Sequence, residues 1–251
     1  MKKLFGVKIG SPAEIVASLP ILEVLNHNLG QTYNIFVLGK KYDYFSFFLE
    51  NHPLINEIYI SEYEENLSKK DFNLIKKCDY FINPTAPNLK EKDWYNYRSL
   101  IEEISLNATI DFNLIKNPPK LYKKLNQKKI HTLGINKSIG PSEQWWQDLI
   151  SNINLDFIYL DKYTNFLDQV KAALSCKIIL SPPSDLSWTT SAIGENHQVN
   201  LISKYKVDHI NNITSLAPLG EKSINIINTN SYNDIDVFKT IEMIKNLTYN
   251  Q

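Results

Sequence analysis

Apolar residues recur along this chain in two alternating ways, as short unbroken runs and as longer stretches at helical spacing. Residues 4–9 are the first run, and a run of that length bounded by turn residues suits a strand. Gly10-Ser11-Pro12-Ala13 breaks it. Over 14–29, Ile15, Val16, Leu19, Ile21, Leu22, Leu25 and Leu29 keep mostly to one helical face, Pro20 should kink or open the helix, and Gly30 ends it. Residues 33–38 are a second strand, followed by Gly39-Lys40-Lys41 and an aromatic-rich helix over 42–51. The spacing then predicts a strand over 55–60, a helix over 71–77 and a strand over 80–83 that runs into Pro84-Thr85-Ala86-Pro87. Trp94-Tyr95-Asn96-Tyr97-Arg98 opens another helix, 99–104.

A breaker, Asn117-Pro118-Pro119, and a lysine-rich, apolar-poor stretch over 120–129 make the best interdomain boundary, giving domains 1–125 and 126–251. Residues 130–135 read as a strand, Asn136 to Ser142 as a polar loop, and 143–153 as a helix capped by Ser142 and carrying Trp145, Trp146, Leu149 and Ile150. A strand at 157–160 and a helix at 167–174 follow. Residues 177–180 form a short apolar run, and Ser181-Pro182-Pro183-Ser184-Asp185 cannot continue it, because proline lacks the N–H. Helical spacing returns over 186–193 and stops at Gly194; strands are expected at 199–202 and 225–228, and an amphipathic helix at 235–247. Strands alternating with helices imply parallel sheets with right-handed crossovers. The expected fold is α/β, with two Rossmann-like domains whose parallel sheets face across a cleft. A strand ending in a polar loop that opens a helix is where such sheets bind ligands, and the helix start suits a phosphate. The stretch 177–193 is therefore the candidate phosphate site.

Composition narrows the function. The chain has 251 residues, 43% hydrophobic and 22% charged, with zero net charge, which gives no support to general nucleic-acid binding. Arg98 is its only arginine, so lysines, hydroxyls and backbone N–H groups would have to recognise phosphate. Cys78 and Cys176 each sit beside an apolar run, without metal-like spacing; they read as small buried residues in a reducing compartment rather than a disulfide framework. Lys8 interrupts the N-terminal apolar run, which reads as a strand and not as a signal peptide. No apolar stretch approaches the length of a membrane span.

Glu14 stands out in the first half. It lies at the carboxyl end of the first strand and at a helix N-terminus. There it either stabilises the helix dipole or acts as a general base on an attacking hydroxyl. The aromatics over 94–97 could stack on sugars but suit packing as well. Lys8, Lys40 and Lys137 could line a cleft or simply be solvated charges.

The order of these motifs resembles glycosyltransferase family 9, the heptosyltransferase-like enzymes of lipopolysaccharide synthesis. The resemblance spans nearly the whole chain. It rests on the strand, loop and proline-bearing helix over 7–22, on Asn51-His52-Pro53-Leu54-Ile55-Asn56-Glu57-Ile58, and on Pro141-Ser142-Glu143-Gln144-Trp145-Trp146. Its most characteristic part is a loop of the type Asp-Thr-Gly-x-x-His leading into a helix that ends Ala-x-Gly, which here reads Ser181 to Trp188 and Ala192-Ile193-Gly194. Glu14 stands where the family has aspartate and Ala13 where it has glycine. Ser184 keeps the loop hydroxyl, Asp185 replaces the glycine and Trp188 the histidine, and the chain is shorter than typical members.

The resemblance implies the GT-B fold and inverting, metal-independent transfer of a sugar from a nucleotide-diphosphate sugar, with no other cofactor. The acceptor would be a hydroxyl of a glycan or glycolipid of the lipopolysaccharide type. Glu14 would be the base. Lys137, Ser184, Asp185, Leu186, Ser187 and Trp188 would lie on the donor side, and Lys8, Ser11 and Lys40 on the acceptor side. The protein would be cytoplasmic, with at most peripheral contact with the inner membrane and no nucleic-acid partner. The altered positions keep open a second class, a catalytically silent GT-B-like protein that binds a nucleotide or glycan. A phosphorylase or epimerase of the same fold is a third, since fold does not fix function.

Overall fold

The first apolar run forms β1 (Lys3–Ile9), and from it the chain alternates strand and helix. The computed structural model describes residues 3–9, 11–30, 32–62, 68–82, 118–137, 140–203, 220, 222–228 and 231–249. The helix expected at 99–104, with its aromatic opening at 94–97, lies outside them. The chain divides into two compact units, Met1–Lys123 and Lys124–Gln251.

In the first unit β1 is followed by α1 (Pro12–Leu29), β2 (Thr32–Gly39), a 3₁₀ turn (Lys40–Phe45) running into α2 (Ser46–Leu49), β3 (Glu57–Ser61), α3 (Lys69–Ile75) and β4 (Tyr80–Ile82). The sheet order is β3-β2-β1-β4, every pair parallel. Ile35 to Leu38 on β2 are all buried, as expected of a strand covered on both faces. Gly6 on β1 is required by close approach, since a Cβ there would lie 2.6 Å from the Phe81 ring. The first half of α1 is not one-sided as expected: Ile15 to Pro20 are buried consecutively, and only the second half exposes a polar edge, at Glu23 and His27. A helix buried all round its first turns sits inside the unit rather than on it. The helix runs through Pro20 without a break and ends at Gly30, whose φ of 76° favours glycine. The helix expected over 42–51 is instead the 3₁₀ turn and a single α turn. Phe45 and Phe48, three residues apart, are both buried with ring centroids 5.2 Å apart.

His52 ties the end of this unit to its body. It is 7% exposed, its Nδ1 accepts from the Leu54 N–H at 3.2 Å, and its ring meets Tyr122 edge-on at 5.1 Å. Burial pushes its pKa down to about 4, against a smaller upward pull from a hydrogen bond to the Lys120 backbone. The unfolded chain therefore takes up the proton first, and stability is lost as pH falls from about 6.5 toward 4, by at most about 3 kcal/mol. Urea unfolding of His52→Gln should lose less stability between pH 7 and pH 4.5 than the wild type. Parallel losses in the two proteins would remove His52 from the acid limb.

The second unit contains β5 (His131–Ile135), α4 (Glu143–Ile153), β6 (Phe157–Tyr159), α5 (Phe166–Leu174), β7 (Cys176–Ser181), α6 (Asp185–Ile193), β8 (His197–Ser203), β9 (Ser223–Asn228), a 3₁₀ turn (Tyr232–Asp234) and α7 (Val237–Tyr249). Its sheet order is β6-β5-β7-β8-β9, again parallel throughout. One face carries an apolar core in which Leu133, Ile135, Ile178, Leu180, Val199 and Leu201 meet Trp145, Trp146 and Leu149 of α4 and Ile241 and Ile244 of α7. The Trp145 indole N–H donates to the Ile235 carbonyl at 2.7 Å, so this buried polar atom is satisfied. Side chains alternate across a strand, so Gln198 and Asn200 of β8 point to the other face, toward α6. Both cysteines are free thiols. Burial raises the pKa of both, that of Cys176 to about 12, and Cys78 is only half-buried.

Candidate functional site

The strand order of the second unit reverses between β5 and β7: β6 lies to one side, β8 and β9 to the other. Loops at the carboxyl ends of two such strands leave a crevice between them. Here they begin at Asn136 after β5 and span 182–184 after β7. The residue that joins them is Asn136, 1% exposed. Its backbone N–H donates to the Leu180 carbonyl at 3.0 Å. Its side-chain Nδ2 donates to Ser181 Oγ at 3.1 Å and to Ser184 Oγ at 3.2 Å. Gly140, at φ 126°, packs against the same loop; a Cβ there would lie 2.5 Å from Pro182 Cγ. Asn136 was not among the residues expected at the site. Its signal was a polar side chain directly after an apolar strand, but nothing local says which strand it would face.

Helix α6 begins in a capping box. The Ser187 N–H donates to Ser184 Oγ at 3.2 Å, and the Ser184 N–H donates to Ser187 Oγ at 2.7 Å. The Ser187 hydroxyl, expected to meet a leaving phosphate, is fully buried and also lies 2.9 Å from the Ser184 carbonyl. It is occupied in holding the turn. The box leaves the Leu186 N–H as a first-turn donor. Asp185 is half-buried at the first helical position, where its charge favours the helix dipole. Trp188, at the position where the resembled family has histidine, is 0% exposed and belongs to the interior. Lys137 lies directly after Asn136. Its Nζ is 3.2 Å from Glu143 Oε1 and 4.6 Å from the centre of the Tyr159 ring, so its charge is held beside the loop.

In the first unit the order β3-β2-β1-β4 puts the reversal between β1 and β4, and α1 opens there. Ser11 and Glu14 form its capping box. The Ser11 N–H donates to Glu14 Oε2 at 2.7 Å, and the Glu14 N–H approaches Ser11 Oγ at 3.4 Å. The Glu14 carboxylate is half-buried, and this bond uses one of its oxygens. Lys8 pairs with Val37 in the β1–β2 ladder, and its side chain lies outside the described part. Lys40 is exposed at the start of the 3₁₀ turn after β2. Among the described residues no three His, Cys, Asp or Glu side chains gather that could hold a metal ion. No helix among them is long and apolar enough to cross a membrane.

The amide of Asn136 is the link whose loss should loosen the loop most directly. Asn136→Ala removes both side-chain bonds, while Ser181 keeps the Pro182 carbonyl and Ser184 its capping bonds to Ser187, so the cost should be about 0.5–1.5 kcal/mol for each bond lost. Urea denaturation should show the fall, and a midpoint unchanged within error would mean that solvent replaces the amide.

No protein-family model and no curated protein matches the chain. Among solved structures it is similar to the ADP-heptose LPS heptosyltransferase II of E. coli, at 14% identity and a TM-score of 0.62, with 98% of each chain covered. It is similar to a family 9 glycosyltransferase from Veillonella parvula at 11% identity and a TM-score of 0.62, covering 99% of this chain and 98% of that one. E. coli heptosyltransferase WaaC with ADP aligns at 10% identity and a TM-score of 0.59, over 98% of this chain and 99% of that one. At these identities the likeness is one of fold: α/β, of the heptosyltransferase GT-B type, along the full length of the chain.

Proposed function

We propose that this protein is a glycosyltransferase that moves a sugar from a nucleotide-diphosphate sugar to a hydroxyl of a surface glycan or lipopolysaccharide-type acceptor, with inversion and without a metal. The observation that carries the reading is the full-length likeness of fold to three glycosyltransferases. The β7–α6 turn at the strand reversal supports it, because it has the form of an anion site. The second unit would bind the donor, and the first the acceptor. Glu14 would take the proton of the acceptor hydroxyl as that oxygen attacks the anomeric carbon. The bond from that carbon to the diphosphate breaks, and the nucleoside diphosphate leaves with the electron pair. The start of α6 and Lys137 would stabilise the developing charge. Ser184 and Ser187 would hold the turn, Asp185 and Leu186 would present its backbone, and Trp188 would seat it from within. Lys8, Ser11 and Lys40 would serve the acceptor side, and the protein would work in the cytoplasm with at most peripheral contact with the membrane.

A second reading, a silent nucleotide- or glycan-binding protein, is favoured by one observation: Glu14 and Ser187 both have structural employment in capping boxes. A thermal-shift screen of ADP, UDP, GDP and CDP, followed by donor-hydrolysis assays on the matching nucleotide sugars, separates the two. The enzyme reading expects one diphosphate to raise the melting temperature and its sugar to be turned over. Binding without turnover supports the second reading, and no binding of any diphosphate would overturn the enzyme reading and the nucleotide-binding form of the second.

A further inference from the structure

Leu186 to Ala192 of α6 are all buried, and four of these seven residues are serine or threonine. Leu186, Trp188 and Ala192 supply its apolar contacts, and the buried hydroxyls between them need polar partners. The segments beneath the helix supply them. Asn136, directly after β5, donates to Ser184 Oγ. Ser181, at the end of β7, has its Oγ 3.4 Å from the same atom. Gln198 of β8 has its Oε1 2.9 Å from Thr190 Oγ1, and Ser223 of β9 has its hydroxyl 3.1 Å from that of Ser191. From Gln198 the chain of bonds continues. Gln198 Nε2 donates to Asn200 Oδ1 at 3.1 Å, and Asn200 Nδ2 donates to Asn225 Oδ1 at 2.9 Å. Gln198 and Asn200 are 1% and 0% exposed. The opposite face of the same sheet is apolar.

Apolar contacts are non-directional and tolerate a helix that slides or rotates, whereas hydrogen bonds hold one distance and one angle. A one-residue slip of α6 would turn Thr190 about 100° away from Gln198. We infer that Thr190, Gln198 and Asn200 are positioning residues that fix the rotation and depth of α6, so that its first turn is preorganised for the donor diphosphate. The inference rests on the reading of that turn as the donor-phosphate site.

The test compares Thr190→Val, Thr190→Ser and the double variant Gln198→Leu/Asn200→Leu with wild type. Readouts are ADP affinity by calorimetry, melting temperature, and hydrogen exchange over 185–194. Leucines of similar shape should keep the fold, because Thr190 Oγ1 already lies 2.9 Å from the Leu186 carbonyl and Asn225 is exposed to water. The expected result is a tenfold or greater loss of ADP affinity and faster exchange in α6 for Thr190→Val and the double variant, with nearly unchanged melting in the double variant and a modest fall in Thr190→Val, which leaves the buried Gln198 Oε1 without its hydroxyl. Thr190→Ser, which keeps the hydroxyl, should stay within twofold of wild type. ADP affinity within twofold in both disrupted variants would overturn the inference. If the double variant does not fold, the Thr190 pair decides. If wild type binds no ADP, the donor reading fails, and exchange alone judges the positioning role: faster exchange at unchanged melting supports it, and unchanged exchange overturns it.

Discussion

Glu14→Gln should leave the fold and nucleotide binding intact and lower sugar transfer by about 10²–10⁴-fold, the range for loss of a general base. The substitution separates the two roles open to this residue. A glutamine at the third helical position still accepts the Ser11 N–H through its amide oxygen, so the capping box survives. The amide cannot take a proton, so base catalysis does not. Melting temperature and ADP affinity should both match wild type. Transfer that also matches wild type would leave Glu14 a cap and move the base elsewhere. Glu14→Ala is the less informative change, because it removes cap and base together, and loss of a cap alone costs about 1 kcal/mol.

Trp188→Ala should lower the stability of the second unit strongly. The side chain is wholly buried in the helix that opens at the strand reversal. Truncation of a buried tryptophan costs about 3–5 kcal/mol, since the transfer energy is lost and a cavity remains. In a unit of this size that is a fall of roughly 10–20 °C in melting temperature, readable by calorimetry. A fall below about 3 °C would mean that the indole is loosely held, and would return Trp188 to the residues that could meet a ligand directly.

Local signals foretold much of the second unit. Helix α4 begins and ends where the spacing of Trp145, Trp146 and Leu149 and the cap at Ser142 put it, and α6 stops at Gly194 in the left-handed region, φ 73°. The segment over 42–51 was less legible, because buried aromatics three residues apart satisfy a 3₁₀ turn as well as an α-helix. The all-round burial of early α1 could not be read either. Ala17, Ser18 and Pro20 are too small or too polar to announce it, and what covers them comes from elsewhere in the chain. At the candidate site, the loop 181–185 was visible because proline cannot continue a strand; the cap at Ser184 was not read, although its bonds span only three residues. Asn136 was not, because it meets Ser181 and Ser184 from 45 and 48 residues away.

The sequence by itself determined the alternation of strands and helices, the helix ends at Gly30, Ser142 and Gly194, and the two parallel α/β units, because apolar period and side-chain-to-backbone bonds act within a few residues. Only the tertiary structure decided which strands are neighbours. By placing β5 beside β7 it made a crevice of two separate loops. By covering β8 on both faces it turned Gln198 and Asn200 from residues that alternate like a solvent-facing edge into the buried polar seat of α6. A buried amide must find a partner, and the chain cannot announce that partner until the sheet brings it within hydrogen-bonding distance.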